Sequence, residues 1–232
     1  MDIDEKPLPA QVKAVKHRLS KTITSAQFIK MQFNTLAFEG EWKDFMGCPE
    51  DNFSMLLYGE SGNGKTEGEI KFCKYMAQFG NVYFNSNEQG ISYSLQTSWI
   101  RNDIASMGDK IRLVHKEPYD KMVARLKRKK SAKIVFIDSI QHTKITYDMW
   151  LALRAMFPKK IFILISHSDG RLPQGAAAKA ILYDVDVKVY VKDFVMYGRG
   201  RFGGGKSYII YEQGYRDAMQ RKTGKKKVKL PI

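Results

Sequence analysis

The sequence predicts an α/β domain: a mostly parallel sheet covered by helices on both faces and finished by antiparallel β-hairpins near its C-terminal end. Three observations carry that reading. Short apolar runs alternate with helix-like stretches from Phe53 to Ser166, which is the strand–helix order of a parallel sheet. The octapeptide Gly59-Glu60-Ser61-Gly62-Asn63-Gly64-Lys65-Thr66 joins the first run to the first helix and fits G-x-x-x-x-G-K-[ST] at every fixed position. From Asp184 onward the pattern changes to strands alone, with Gly203-Gly204-Gly205 at the last turn.

Taken in order, residues 1–40 form a basic N-terminal extension, with Lys13, Lys16, His17, Arg18 and Lys21 and no clear apolar stripe. It reads equally as an arm touching DNA or a neighbouring subunit and as a solvated extension. The core occupies residues 41–215. It starts with a loop over Phe38–Phe53, marked by Gly40, Gly47 and Pro49. Phe53–Tyr58 is the first strand, and Glu67–Phe79 is a helix that turns Ile70, Phe72, Cys73, Tyr75, Met76 and Phe79 toward a sheet. Gly80-Asn81 leads into the strand Val82–Asn85, which ends at Ser86–Gly90; a helix over Ile91–Met107 and the strand Lys110–His115 follow. Pro118 opens a helix over Tyr119–Lys130, whose cations suit a solvated helix C-terminus. Lys133–Asp138 is a buried strand, Tyr147–Met156 a helix and Lys160–Ser166 another strand. The closing strands are Val185–Lys192, Phe194–Arg199 and Lys206–Glu212. Residues 216–232 are a basic tail, read as flexible beyond Arg221, with Lys222, Lys225, Lys226, Lys227 and Lys229.

The phosphate loop sets the chemistry. Its glycines let successive N–H groups point inward at phosphate oxygens, and the following helix N-terminus adds partial positive charge. Lys65 then reaches the β- and γ-phosphates of a nucleoside triphosphate, and the Thr66 hydroxyl ligates Mg²⁺. Asp138, at the tip of a buried strand, holds the same Mg²⁺ through water and orients Thr66.

Composition narrows the class further. The 232 residues are 44% hydrophobic and 12% aromatic, which excludes a disordered chain. The net charge of +15 favours a polyanionic partner, nucleic acid or an anionic surface. Cys48 and Cys73 make no C-x-x-C pair, so no zinc ribbon or disulfide framework is indicated and a reducing, intracellular setting is expected. The acidic, polar start Met1–Pro7 is unlike a signal peptide, and no apolar run approaches membrane-spanning length. A cytoplasmic location with no membrane partner is the expectation.

Two features separate the classes of phosphate-loop protein. Asp138 is followed by Ser139 with no adjacent glutamate, whereas Glu88 stands at the tip of the strand after the phosphate-loop helix. The chain closes in hairpins, not in a helical lid. With Tyr83–Glu88, Val135–Gln141, Ile165–His167, Asp184–Val187 and Arg201–Gly203 in that order, residues 53–212 resemble the RecA-like ATPase core, most closely its bacterial RadA and DnaB-type branch. The chain carries neither the zinc finger and protease-like domain of RadA nor the N-terminal domain of DnaB-type helicases. It looks like the stand-alone RecA-like ATPases of phages and mobile elements.

The resemblance implies ATP as the nucleotide and roles position by position. Glu88 is the general base that orients the attacking water, and His167 is a γ-phosphate sensor. Arg199 and Arg201, in Arg199-Gly200-Arg201-Phe202-Gly203, offer cations to ATP in a neighbouring subunit of a homo-oligomer. Asp169–Lys179 is a mobile DNA-binding loop in which Arg171 and Lys179 contact phosphates, and Lys225, Lys226 and Lys227 of the tail add to that surface. The implied function is ATP hydrolysis coupled to binding DNA, single-stranded by the same resemblance, in recombination, repair or replication. A DNA-binding, NTP-dependent assembly component with little hydrolysis is the alternative. A small-molecule kinase fits less well, because no acceptor site or arginine-rich lid is visible.

Overall fold

The computed structural model describes residues 22–226, with side chains as far as residue 222. The chain divides into two units, Met1–Phe33 and Asn34–Ile232. In the first, the described element is α1 (Ser25–Ile29). The Thr24 hydroxyl accepts from the Gln27 N–H at 3.2 Å while Gln27 accepts from the Thr24 N–H at 2.9 Å, a capping box that holds a single turn. The basic stretch Val12–Lys21 lies outside the described residues.

The second unit is built on one sheet. Its strands are β1 (Ser54–Gly59), β2 (Val82–Ser86), β3 (Ile111–His115), β4 (Ile134–Asp138), β5 (Ile161–Asp169), β7 (Val187–Lys192), β8 (Val195–Gly200) and β9 (Tyr208–Ile209), in the spatial order β3-β2-β4-β5-β1-β7-β8-β9. The six strands from β3 to β7 run parallel; β8 and β9 are antiparallel. Every residue of β1, β2 and β4 is buried, as near-continuous apolar runs in a sheet covered on both faces must be. Alternate side chains of β1 feed two cores. Met55 and Leu57 pack with α2 (Gly40–Met46), α3 (Lys65–Met76) and α4 (Tyr93–Arg101). Leu56 and Tyr58 pack with α5 (Tyr119–Leu126), α7 (Tyr147–Met156) and α8 (Ala176–Asp184).

Five local expectations change in the structure. The loop expected over Phe38–Phe53 contains α2, which buries Trp42, Phe45 and Met46; Trp42 stacks on Tyr208 at 4.2 Å, and Gly47 with φ 72° caps the helix. The helix expected over Ile91–Met107 stops at Arg101. Asp103 adopts φ 50°, and a 3-10 helix (Ile104–Lys110) follows. The segment expected as a loop from Asp169 contains regular secondary structure. β5 extends to Asp169, Gly170 with φ 62° reverses the chain, and β6 (Leu172–Pro173) pairs back on β5. Lys179 sits inside α8. The strand expected over Lys206–Glu212 shrinks to β9, because Ile210 turns inward, buried, with its N–H donating to the Phe194 carbonyl at 2.8 Å. The tail expected to be flexible is helical as far as it is described, in α9 (Glu212–Lys226). Gly214 makes this packing possible, since a Cβ there would lie 2.7 Å from the Phe194 ring, and Lys222 pairs with Asp193. A one-turn helix, α6 (Ile140–Thr143), links β4 to α7.

Candidate nucleotide site and a basic, aromatic groove

The phosphate loop leaves the C-terminal end of β1 in the centre of the sheet. Gly59 admits no side chain, for its Cβ would lie 2.4 Å from the Val191 carbonyl oxygen. Gly64 takes φ 93° as the N-cap of α3, a left-handed conformation that favours glycine. Asn63 fastens the loop to the β7–β8 turn: its carbonyl accepts from the Phe194 N–H at 3.1 Å and its Oδ1 from the Asp193 N–H at 2.8 Å. Lys65 is buried and donates from Nζ to the Glu60 carbonyl at 3.0 Å. Burial lowers its pKa, opposed by the charges of Glu88, Glu69, Asp138 and Glu60. Thr66 Oγ1 accepts from Gln89 Nε2 at 3.1 Å.

The adjacent strands β2, β4, β5 and β1 bring Glu88, Asp138 and His167 to the same end of the sheet, the end where open α/β sheets hold ligands. The N–H groups of Asn87 and Glu88 both donate to the Asp138 carbonyl, at 2.5 and 2.9 Å, tying the tip of β2 to the tip of β4. Asp138 is 3% exposed. Burial above all, and then the neighbouring Glu88 charge, push its carboxyl up to about 7, with Lys65 acting the other way. His167 lies opposite Gly59 in the β5–β1 register, and its Nε2 is 3.3 Å from Glu88 Oε2.

These groups fit a magnesium–nucleoside triphosphate. A buried carboxylate whose charge is unfavourable until a cation arrives, a hydroxyl, a lysine and a glycine loop at a helix N-terminus are the donor set such a ligand needs. Bound Mg²⁺ supplies neutralisation of charge on the phosphate oxygens.

Sequence reasoning missed Glu69. It is 1% exposed, and its Oε2 has no hydrogen-bond partner among the described residues. Burial, then Asp138 and Glu88, raise its pKa well above the usual carboxylate range, with Lys65 acting the other way. The available signal was spacing: four residues beyond Lys65, Glu69 shares its helix face.

Arg199 and Arg201 are not brought to the phosphate loop. Arg199 pairs in register with Lys188, which is itself opposite Leu56, three residues before Gly59. Arg201 lies past the end of β8 and forms a 3.5 Å ion pair with Asp186, whose carboxylate also accepts from the Ser54 N–H at the start of β1. Both arginines therefore lie toward the end of the sheet away from the site. β8 stays hydrogen-bonded to β7 throughout.

Arg199 belongs instead to an open groove of about 610 Å³ on the face of β1, β7 and β8. Residues directly opposite on antiparallel strands share a face, so Tyr190 sits beside Tyr197 and Lys188 beside Arg199. Tyr58 lies next to Tyr190, with ring centroids 5.4 Å apart. Lys192 and Arg171 complete the cationic lining with Lys222, which Asp193 already engages. Arg171, predicted to contact phosphates, is thus placed in the groove; Lys179 is exposed on α8 outside its lining. Lys225 and Lys226 fall within α9 in the part described without side chains, and Lys227 lies outside the described residues.

The strand order, the phosphate loop at the end of the central strand and the antiparallel closing hairpins define a RecA-like P-loop fold. Solved structures share it, two of them as follows. The chain is similar to the KaiC-like protein PH0186 from the hyperthermophilic archaeon Pyrococcus horikoshii OT3, with a TM-score of 0.55 and 16% identity over 77% of this chain and 92% of that one. It is also similar to the flagellar accessory protein FlaH from Methanocaldococcus jannaschii, with a TM-score of 0.52 and 12% identity over 79% of this chain and 90% of that one. No protein-family model and no curated protein matches the chain. Among the described residues no helix is long and apolar enough to cross a membrane.

Proposed function

We propose that this chain hydrolyses ATP and couples hydrolysis to binding single-stranded DNA in recombination, repair or replication, in the manner of stand-alone RecA-like ATPases. The observation that supports it most is that one sheet carries both halves of the task. The phosphate loop, Asp138, Glu88 and His167 stand at the strand tips, and a basic, tyrosine-lined groove runs along β7 and β8. Lys65 and Thr66 bind the triphosphate, and Asp138 keeps a negative charge where Mg²⁺ is held. Glu88 accepts a hydrogen bond from the attacking water, while His167 keeps that carboxylate in position. In the groove, tyrosine rings offer faces on which bases stack whatever their identity, and the lysines and arginines meet phosphates.

The Asp193–Phe194 turn connects the two regions, since it closes the groove strands and holds Asn63 of the phosphate loop. Neither Arg199 nor Arg201 lies at its own phosphate loop, so any contribution they make to hydrolysis comes from a second copy of the chain in a homo-oligomer.

The test is ATPase rate with and without single-stranded DNA at several salt concentrations. Stimulation by DNA, lost steeply as salt rises through counterion release, is the expected result. ATP and DNA binding without turnover would favour the assembly-component reading. Turnover indifferent to DNA at every salt would remove the nucleic-acid half of the proposal.

A further inference from the structure

We infer that Glu88, His142 and His167 form a site for a transition-metal ion such as Zn²⁺, and that occupying it shuts off hydrolysis. One donor atom from each of these residues lies within 4.8 Å of the others. They come from three neighbouring places in the sheet: the tip of β2, the turn of α6 just after β4, and the tip of β5. Two are already at ligand spacing. Zinc–nitrogen and zinc–oxygen bonds of about 2.0–2.1 Å in a tetrahedron put neighbouring donors ~3.3–3.4 Å apart. Glu88 Oε2 and His167 Nε2 stand 3.3 Å apart.

The third donor is anchored. Ser139 Oγ is 2.9 Å from His142 Nδ1, the type of outer contact that fixes the ring and tautomer of a metal-ligating histidine. Its other nitrogen is then free to bind. His142 is exposed and the other two are partly so, which leaves an ion a way in and a fourth position for water. Two imidazoles and a carboxylate suit Zn²⁺, Co²⁺ or Fe²⁺, whereas Mg²⁺ prefers oxygen donors. The site is therefore distinct in chemistry from the one at Thr66 and Asp138.

The inhibitory part rests on the reading of Glu88 as the base and of His167 as its support. A carboxylate whose lone pair is on a metal cannot accept from the attacking water, and the same ion removes His167 from Glu88. His142 has no part in that chemistry, so it separates metal binding from turnover.

Titrating the full-length protein with Co²⁺ and reading visible absorption requires no hydrolysis and so tests the site even if the chain proves inactive. One equivalent with tetrahedral-type bands, displaced by Zn²⁺, is expected. His142→Ala should weaken Co²⁺ binding at least as much as the about 10- to 100-fold loss that removing an outer-shell partner causes. In Mg-ATP assays, micromolar Zn²⁺ should inhibit the parental chain while His142→Ala, with unchanged activity in metal-buffered solution, resists it. Absence of the bands, or Co²⁺ binding unchanged by both His142→Ala and Glu88→Ala, would overturn the site. Strong Co²⁺ binding with undiminished hydrolysis would overturn the inhibition and leave the site standing.

Discussion

Strands β2, β4 and β1 are buried along their whole length and β5 along its first six residues, whereas β7 alternates, with Val187, Val189 and Val191 buried and Lys188, Tyr190 and Lys192 partly or fully exposed. The physical origin is the cover each part receives. Helices lie over both faces of these four strands, so their side chains pack and only the tips meet solvent. One face of β7 and β8 remains open beside α8, so every second residue is available along the strand. The comparison teaches where each kind of chemistry can sit. Strand tips hold a few groups rigidly at one point, which suits a reaction. A half-covered strand pair presents a row of evenly spaced side chains, which suits a repeating polymer.

The sharpest test of the division lies at the tips. Lys65→Ala should abolish nucleotide binding in equilibrium dialysis, because this buried ammonium is the cation the phosphate loop aims at the β- and γ-phosphates. Glu88→Gln should bind ATP normally and lose turnover by about 10²- to 10⁴-fold, the range that a positioned general base contributes. A parental rate in Glu88→Gln would put the base elsewhere and blur the contrast between tips and groove.

The open face is tested by Tyr197→Ala combined with Arg199→Ala. Loss of one stacking platform is worth about 1–3 kcal/mol, or roughly 5- to 150-fold in affinity, and the lost phosphate contact should flatten the salt dependence. Fluorescence anisotropy with a labelled oligonucleotide reads both, and nucleotide affinity should not move. If DNA binding survives intact, the groove is a solvated face and the nucleic-acid surface lies elsewhere.

Asn63→Ala probes the connection between the two regions. It removes the acceptor of the Asp193 N–H, a bond worth ~1 kcal/mol, while the backbone bond to Phe194 remains. DNA stimulation of the ATPase should fall more than the basal rate. Equal changes in the two would mean that the turn supports the loop without relaying anything.

The smallest effect concerns Glu69. Its pKa is raised in the folded chain, so the folded state keeps a proton that the unfolded state releases above about pH 4.3. The associated stability is fully present below that pH and is lost as pH climbs toward the folded value. Asp138, pushed up to about 7, slopes the same way. Glu69→Gln cannot titrate and should remove part of this fall. Its Tm should exceed the parental one by about 2–4 °C at pH 8, as ~1 kcal/mol produces in a chain of this size, with a smaller difference at pH 5. An equal difference at both pH values would show that Glu69 is already ionised or that its proton is irrelevant to stability.

What the sequence determined by itself is the parallel half and its tips. Continuous apolar runs leave little freedom about which segments lie inside, and the phosphate loop has few other uses, so β1, β2, β4 and β5 and the positions of Lys65, Thr66, Asp138 and Glu88 were legible from local pattern. The residues around Asp169 show where that stops. The resemblance implies a loop there, yet Gly170 and Pro173 build a tight reversal against β5, because pairing partners are not visible in local composition. Only tertiary structure decided the groove, since Tyr58, Tyr190, Tyr197, Arg171 and Arg199 are dispersed over more than half the chain and are collected by strand register. The same holds for Glu69 and for His142 beside His167: burial, proton affinity and donor spacing depend on which strands lie next to each other, and long-range pairing sets that.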